Sequence, residues 1–179
     1  MREIAKKAYR KKAFESAGVS WDTSANIFMS MLKHPAFRDM TPRQQILYVY
    51  CKAQYYGTKG RDKPRYVEGT VRVKGEAPDT QFYFNRSKWC IEYELYTDKD
   101  RASFYRDRDA LISHGFIRVI ENGKTTRTKT IYAFWDMWQQ WGQPDFEVKP
   151  ADMSTSMLNA LRKKKETDKN PKEQPPQSL

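Results

Sequence analysis

Histidine and cysteine are scarce in this sequence. It contains two of each, His34, His114, Cys51 and Cys90, and it has no Cys-x-x-Cys pair. A structural or catalytic zinc ion needs a cluster of such ligands, so we predict no metal site of this kind. The two cysteines lie far apart in segments that read as helix, which predicts reduced, half-buried thiols and not a disulfide framework.

Glycine-rich phosphate-binding motifs are also missing. The sequence has neither a G-x-x-x-x-G-K-S/T run nor a G-x-G-x-x-G run, which argues against nucleotide hydrolysis and dinucleotide binding. Its two histidines do not share an element, so its tyrosines lack the paired metal-binding histidines that strand-nicking relaxases use. His114 precedes Gly115 at a predicted helix end, where we expect it to cap the helix. We therefore predict a protein that is not an enzyme, has no catalytic residue and takes no cofactor.

Long apolar runs are absent as well. No stretch of about 18 apolar residues occurs, so we predict no transmembrane span and no membrane partner. The N-terminal residues alternate charged with apolar side chains and lack the continuous apolar region of a secretory signal. A soluble, cytoplasmic protein is the expectation.

Positive charge is what the sequence has in excess. Lys and Arg total 33 against 22 Asp and Glu, a net charge of +11, which favours an anionic partner. The charge is concentrated in an arm over residues 1–20, in an insertion over 57–80, in the turn of the predicted hairpin and in the C-terminal tail. The arm reads equally well as a solvated helix or as a phosphate-contacting segment. The candidate phosphate contacts of arm and insertion are Lys6, Lys7, Arg10, Lys59, Arg61, Lys63 and Arg65.

Local signals place the elements of the first half of the chain. Residues 27–31 look like a short strand, and residues 32–40 like a short helix or turn interrupted at Pro35. Thr41-Pro42-Arg43-Gln44 is a capping box, which predicts that a helix starts there. A strand over 81–84 then leads to a helix that Asn85 can cap.

The order of elements that follows predicts the fold. A second helix, with Thr97 as its N-cap, ends at Gly115, and strands over 116–120 and 129–134 flank a turn. A helix, a turn, a helix and then a hairpin are typical of an α+β winged helix-turn-helix, here over residues 21–145.

The C-terminal part divides into an aromatic and a polar segment. Trp135, Trp138 and Trp141 recur at i, i+3 and i+6, which predicts an aromatic helix that covers the core or a dimer seam. Residues 146–179 are rich in Lys, Pro, Ser and Gln, which predicts a disordered basic tail with at most one helical piece around 157–165.

Three segments carry a resemblance to a known family. They are IFMSMLKHPAFRDMTPRQQILYVY, SFYRDRDALISHGFIRVI and NGKTTRTKTIYAFWDMW. Through them, residues 27–138 resemble the N-terminal winged-helix domains of plasmid and phage replication initiators from Gram-positive bacteria and of related mobile-element regulators. The resemblance implies sequence-specific binding of double-stranded DNA, as a dimer, in replication initiation or transcriptional regulation.

The resemblance also implies which residues meet DNA. The groove-facing side of the second helix would carry Lys99, Arg101, Ser103 and Arg106. The wing of the hairpin would carry Lys124, Thr125, Thr126, Arg127 and Lys129.

Charge balance along the second helix leaves alternatives open. The cations Lys99, Arg101, Arg106 and Arg108 are offset by Asp98, Asp100, Asp107 and Asp109, so the helix is neutral by formal count. Arg108 falls at a core-facing position, and we expect it to pair with Glu92 or Glu94. The neutral helix, or the tryptophan face, could instead dock a replisome component or a host defence protein. RNA binding by the basic hairpin is a third alternative.

Overall fold

The structure is a computed structural model that describes residues 25–53, 81–84, 89–90, 93–123 and 128–169. Several predictions concern residues outside these ranges: the arm over 1–20, the insertion over 57–80, the Asn85 cap, and Lys124, Thr125, Thr126 and Arg127 of the wing.

Two short helices open the described chain, α1 (Met29–Lys33) and α2 (Pro35–Asp39). The predicted strand over 27–31 is wrong, because residues 25–28 have no regular structure and the Phe28 carbonyl oxygen accepts the first helical hydrogen bonds of α1. A short apolar run fits a strand and a helix equally well. The predicted interruption at Pro35 is confirmed, since this proline is the first residue of α2.

Helix α3 (Pro42–Ala53) begins at the predicted capping box. The Thr41 backbone N–H donates to Gln44 Oε1 at 2.9 Å, and the Gln44 backbone N–H donates to Thr41 Oγ1 at 3.4 Å. These two backbone N–H groups, which have no carbonyl partner within the helix, are thereby hydrogen-bonded. Helix α3 buries Leu47, Tyr48 and Cys51.

Helix α4 (Arg101–Ser113) starts later than predicted. The Thr97 cap is wrong, because the Asp100 side chain accepts the Ser103 backbone N–H at 3.3 Å and is the N-cap. The predicted end is confirmed: His114 is the C-cap and Gly115 has a φ of +77°. A Cβ on Gly115 would lie 2.6 Å from the Trp138 backbone nitrogen, so both conformation and space require glycine there.

Three strands form one antiparallel sheet in the order β1-β3-β2. They are β1 (Gln81–Phe82), β2 (Ile117–Glu121) and β3 (Ile131–Phe134), with Gln81 opposite Ala133 and Ile117 opposite Phe134. The predicted hairpin is therefore confirmed. The described residues combine helices with this small sheet, which is the α+β class predicted.

The predicted aromatic helix after the hairpin is wrong. Only a single 3-10 turn, Met137–Gln140, forms there. The three tryptophans contact different partners: Trp138 stacks on Phe116, Trp141 stacks on His114, and Trp135 lies under the Arg118 guanidinium. Each ring contacts the core separately, so they do not share a helical face.

The predicted disorder from residue 146 is wrong as far as residue 169, whereas the helical piece predicted around 157–165 is confirmed. Val148 is buried, Phe146, Met153 and Met157 pack against the core, and helix α5 spans Thr155–Lys169. A few spaced apolar side chains suffice to dock this segment, because the core that receives them is built by other elements.

The core lies between α3, α4 and the sheet. Its fully buried side chains include Leu47, Leu111, Ile112, Phe116 and Ile117. Both cysteines are free thiols; Cys90 is partly buried as predicted, but Cys51 is fully buried. None of the helices described is long and apolar enough to cross a membrane.

Candidate nucleic-acid interface

Helix α4 exposes cations along one side. Arg101 and Arg106 are exposed, as is Lys99 in the turn before the helix. Tyr105, one turn from Arg101, is 46% exposed between them. Ser103 is partly buried, and its hydroxyl accepts a hydrogen bond from Arg106 Nη2 at 3.0 Å. This contact holds the Arg106 guanidinium along the helix surface.

Asp107 lies on the opposite side of α4, where it faces α3. Its side chain is 2% exposed and accepts hydrogen bonds from Arg43 Nε at 2.6 Å, Gln44 Nε2 at 3.1 Å and the Tyr96 hydroxyl at 2.9 Å. The hydrogen bond to Asp107 raises the pKa of Arg43, and burial, together with this carboxylate, raises the pKa of Tyr96. The negative charge of Asp107 is thus neutralised inside the contact between the two helices.

Asp109 is neutralised by its neighbour in the chain. Arg108 is buried, and its Nε and Nη2 donate to Asp109 Oδ1 at 3.0 and 2.7 Å. The Ser154 and Ser156 hydroxyls donate to Asp109 at 2.6 and 2.5 Å. We refer to Arg108, Asp109, Ser154 and Ser156 as the Arg108 cluster.

The predicted inward orientation of Arg108 is confirmed, but of its two predicted partners Glu94 is exposed and Glu92 lies outside the described residues. The partner is Asp109, and the Tyr132 hydroxyl accepts from Arg108 Nη1 at 3.3 Å. Burial by itself lowers the pKa of Arg108, but interactions with Tyr132 and Asp109 outweigh it and raise the pKa overall.

The net result is a helix with a positively charged face. Asp107 and Asp109 are held in internal ion pairs, and Asp100 caps the helix 3.8 Å from the Arg43 guanidinium. The side that faces solvent keeps Lys99, Arg101 and Arg106, with Asp98 as an exposed acid in the preceding turn. Counting charges along the sequence missed this asymmetry. Helical spacing could have revealed it, because Asp107 lies one turn before the core residue Leu111.

The wing is described on either side of its tip. The Thr128 backbone N–H donates to the Gly123 carbonyl oxygen at 2.9 Å, which closes the hairpin, and a Cβ on Gly123 would lie 2.2 Å from the Thr128 oxygen. Lys129 is exposed, and its Nζ lies 3.8 Å from the ring centroid of Tyr83. Lys129 therefore packs against Tyr83, the residue after β1, and not against α4.

His114 has the structural role predicted for it. Its backbone N–H bonds the Ala110 carbonyl oxygen, and its ring nitrogens lie 2.7 Å from that same oxygen and 2.9 Å from Asp39 Oδ2. The imidazole thus links α4 to α2. Among the described residues, no group of three or more His, Cys, Asp and Glu side chains is placed to hold a metal ion.

These contacts identify the exposed side of α4, defined by Lys99, Arg101, Tyr105 and Arg106, as the candidate interface. Comparison with protein-family models, curated proteins and solved structures finds no match to this chain.

Proposed function

We propose that this protein binds double-stranded DNA as a winged helix, with α4 in the major groove and the β2–β3 hairpin along the backbone. The element order supports this arrangement: α4 packs against α3 and is followed at once by β2, and the sheet has the order β1-β3-β2. In winged helices the helix before the hairpin is the one that reads base edges.

The observation that carries the proposal is the distribution of charge on α4. Carboxylates facing phosphates would oppose binding, but Asp107 and Asp109 are turned into the protein and paired there. The exposed cations Arg101 and Arg106 remain, and arginine is the side chain best suited to guanine in the major groove. Lys99 and Lys129 would contact phosphates.

The test is a comparison of arginine variants on two kinds of DNA. The wild type is first used to select a preferred duplex from a random-sequence pool. Arg101→Ala and Arg106→Ala should each cost about 1 to 3 kcal/mol on the selected duplex and much less on random duplex, because base contacts carry specificity. Arg38→Ala, which removes an exposed arginine from α2, is the matched control. Equal losses for all three variants would contradict the proposal.

We further propose that binding serves replication initiation or transcriptional control of a mobile element. The resemblance of residues 27–138 to initiator domains supports this role. To test this role, the selected duplex sequence is searched for in the mobile element. We expect it at the element's replication origin or at a promoter within the element. Matches scattered without relation to either would count against the role.

A protein-interaction function is the second candidate, and one observation favours it. Phe28 and Met29, at the start of α1, are 68% and 62% exposed. Adjacent large apolar side chains at such exposure are typical of a docking surface. Phe28→Ser/Met29→Ser would leave duplex affinity unchanged and abolish binding of a replisome or host protein. Loss of duplex binding in this variant, with the fold intact, would argue against that assignment.

A further inference from the structure

Helix α5 carries a second concentration of positive charge. Its 15 residues, TSMLNALRKKKETDK, include four consecutive cations over 162–165, and all four are exposed. Within the described ranges none of these four side chains forms an ion pair. They are therefore available to a polyanion.

The start of α5 is fixed to the rest of the protein at two places. The Arg108 cluster joins it to α4: Ser156 Oγ accepts from Arg108 Nη2 at 2.7 Å, and both serine hydroxyls donate to Asp109. Ser154 Oγ also accepts the Met157 backbone N–H at 3.3 Å, which caps the helix. Thr155 exchanges hydrogen bonds with the Asn122 side chain at 2.7 and 3.0 Å, which joins α5 to the hairpin.

A cavity lined by both α4 and α5 shows which side of α5 lies next to the candidate interface. A cavity of about 380 Å³ lies between α4, β3 and α5, and both Tyr105 and Asn159 line it. Tyr105 belongs to the candidate interface on α4. Arg162 and Lys163 lie three and four residues after Asn159, so helical spacing puts them on the same side of α5 as Asn159, together with the single acid Glu166 seven residues after it. Lys164 and Lys165 point to other sides.

We propose that α5 is a second, positioned DNA-contacting surface, in which Arg162 and Lys163 contact backbone phosphates beside the site bound by α4. The Arg108 cluster acts as the positioning device. This inference rests on the proposed function, since both surfaces would share one duplex. Lysine and arginine on an exposed helix without base-reading partners favour phosphate contact, which is independent of sequence.

The experiment measures affinity for random-sequence duplex at several salt concentrations with the full chain. R162Q/K163Q should lower the slope of log affinity against log salt by about 1.8, because each lost phosphate contact lowers it by about 0.9. K164Q/K165Q removes the same charge from the other sides of α5 and should change the slope much less. K33Q/R38Q removes one lysine and one arginine from α1 and α2 and should leave the slope unchanged.

Equal slope changes for R162Q/K163Q and K164Q/K165Q would mean that α5 acts as diffuse charge, which overturns a positioned surface. If R162Q/K163Q changes the salt slope no more than K33Q/R38Q does, α5 makes no phosphate contact and the proposal is overturned. The positioning role is tested in a Ser154→Ala/Ser156→Ala background, which keeps the Arg108–Asp109 pair. There the difference in slope change between R162Q/K163Q and K164Q/K165Q should become smaller but not vanish, because Thr155 and Asn122 still hold α5. Thermal unfolding checks that the fold remains. A difference as large as in the wild-type background would overturn the role of the two hydroxyls.

The outcomes separate this inference from the proposed function. If Arg101→Ala and Arg106→Ala reduce binding but R162Q/K163Q does not, only the inference about α5 fails. If R162Q/K163Q reduces binding but the α4 variants do not, the assignment of α4 fails, and with it the placement of α5 beside α4, while the phosphate contact by α5 stands. A wild-type protein that binds no duplex at all overturns both.

Discussion

Replacing Asp107 by alanine should destabilise the protein without touching its exposed face. The Tyr96 hydroxyl is buried, so the variant leaves a buried donor without its acceptor, at a cost of about 1 to 3 kcal/mol. The Arg43 side chain is 37% exposed, and its guanidinium regains water, so the lost ion pair adds less than a fully buried pair would. The lost hydrogen bond from Gln44 brings the expected decrease in unfolding free energy to about 2 to 4 kcal/mol.

Urea unfolding followed by tryptophan fluorescence measures this change. Asp145→Ala, which removes an exposed acid, is the control and should stay within about 0.5 kcal/mol of the wild type. A double-mutant cycle with Tyr96→Phe should show coupling, since the two side chains share one hydrogen bond. If Asp107→Ala unfolds like the control and binds duplex more tightly, Asp107 faces the DNA and the orientation of α4 described above is wrong.

Three further changes test the packing. Leu111 is fully buried, so Leu111→Ala should lower the unfolding free energy by about 2 to 5 kcal/mol, and urea unfolding at the wild-type midpoint would contradict its place in the core. Gly115→Ala should lower the thermal midpoint more than Gly142→Ala: both glycines have a positive φ, but a Cβ at Gly115 meets a backbone nitrogen at 2.6 Å and one at Gly142 meets nothing within 4 Å. Equal thermal midpoints for the two variants would refute the close approach of Gly115 to the Trp138 backbone. Burial raises the pKa of the Cys51 thiol, so iodoacetamide should modify Cys90 first in the native protein and both cysteines in denaturant; native labelling of Cys51 at the rate of Cys90 would argue against its burial.

Signals within a few residues of each other predicted the local structure well. The capping box at Thr41 and Gln44, the helix end at Gly115 and the two strands of the hairpin all depend on neighbouring residues. Local signals failed where two nearby residues were equally suited to the same structural role. Thr97 and Asp100 both have N-cap chemistry three residues apart, and only the contact of Asp100 with the Ser103 backbone distinguishes them.

Long-range contacts account for the remaining errors. Val148 and Met153 are isolated apolar residues in a polar segment, and they become ordered because a core made by distant elements receives them. The charge of the candidate interface also depends on a contact between residues far apart in the sequence. Arg43 and Asp107 are separated by 64 positions, so a count along α4 alone could not show that this acid is neutralised. The exposure of Arg106, by contrast, follows from helical spacing around the buried positions of α4, whereas Lys99 lies in the turn before the helix and Arg101 is its first residue.

The division of α4 into two sides has an evolutionary consequence. Asp107, Leu111 and Ile112 fix how the helix is rotated against the body, because turning it by one residue would expose the carboxylate and bury a cation. The solvent-facing positions 101, 102 and 106 lie outside this set of contacts, whereas the Tyr105 ring packs against the Arg108 guanidinium at 4.9 Å. Substitutions at positions 101, 102 and 106 can change which ligand is recognised at little cost in folding free energy. Selection for a changed target sequence could therefore replace the residues at these three positions one at a time while the fold that presents them is retained.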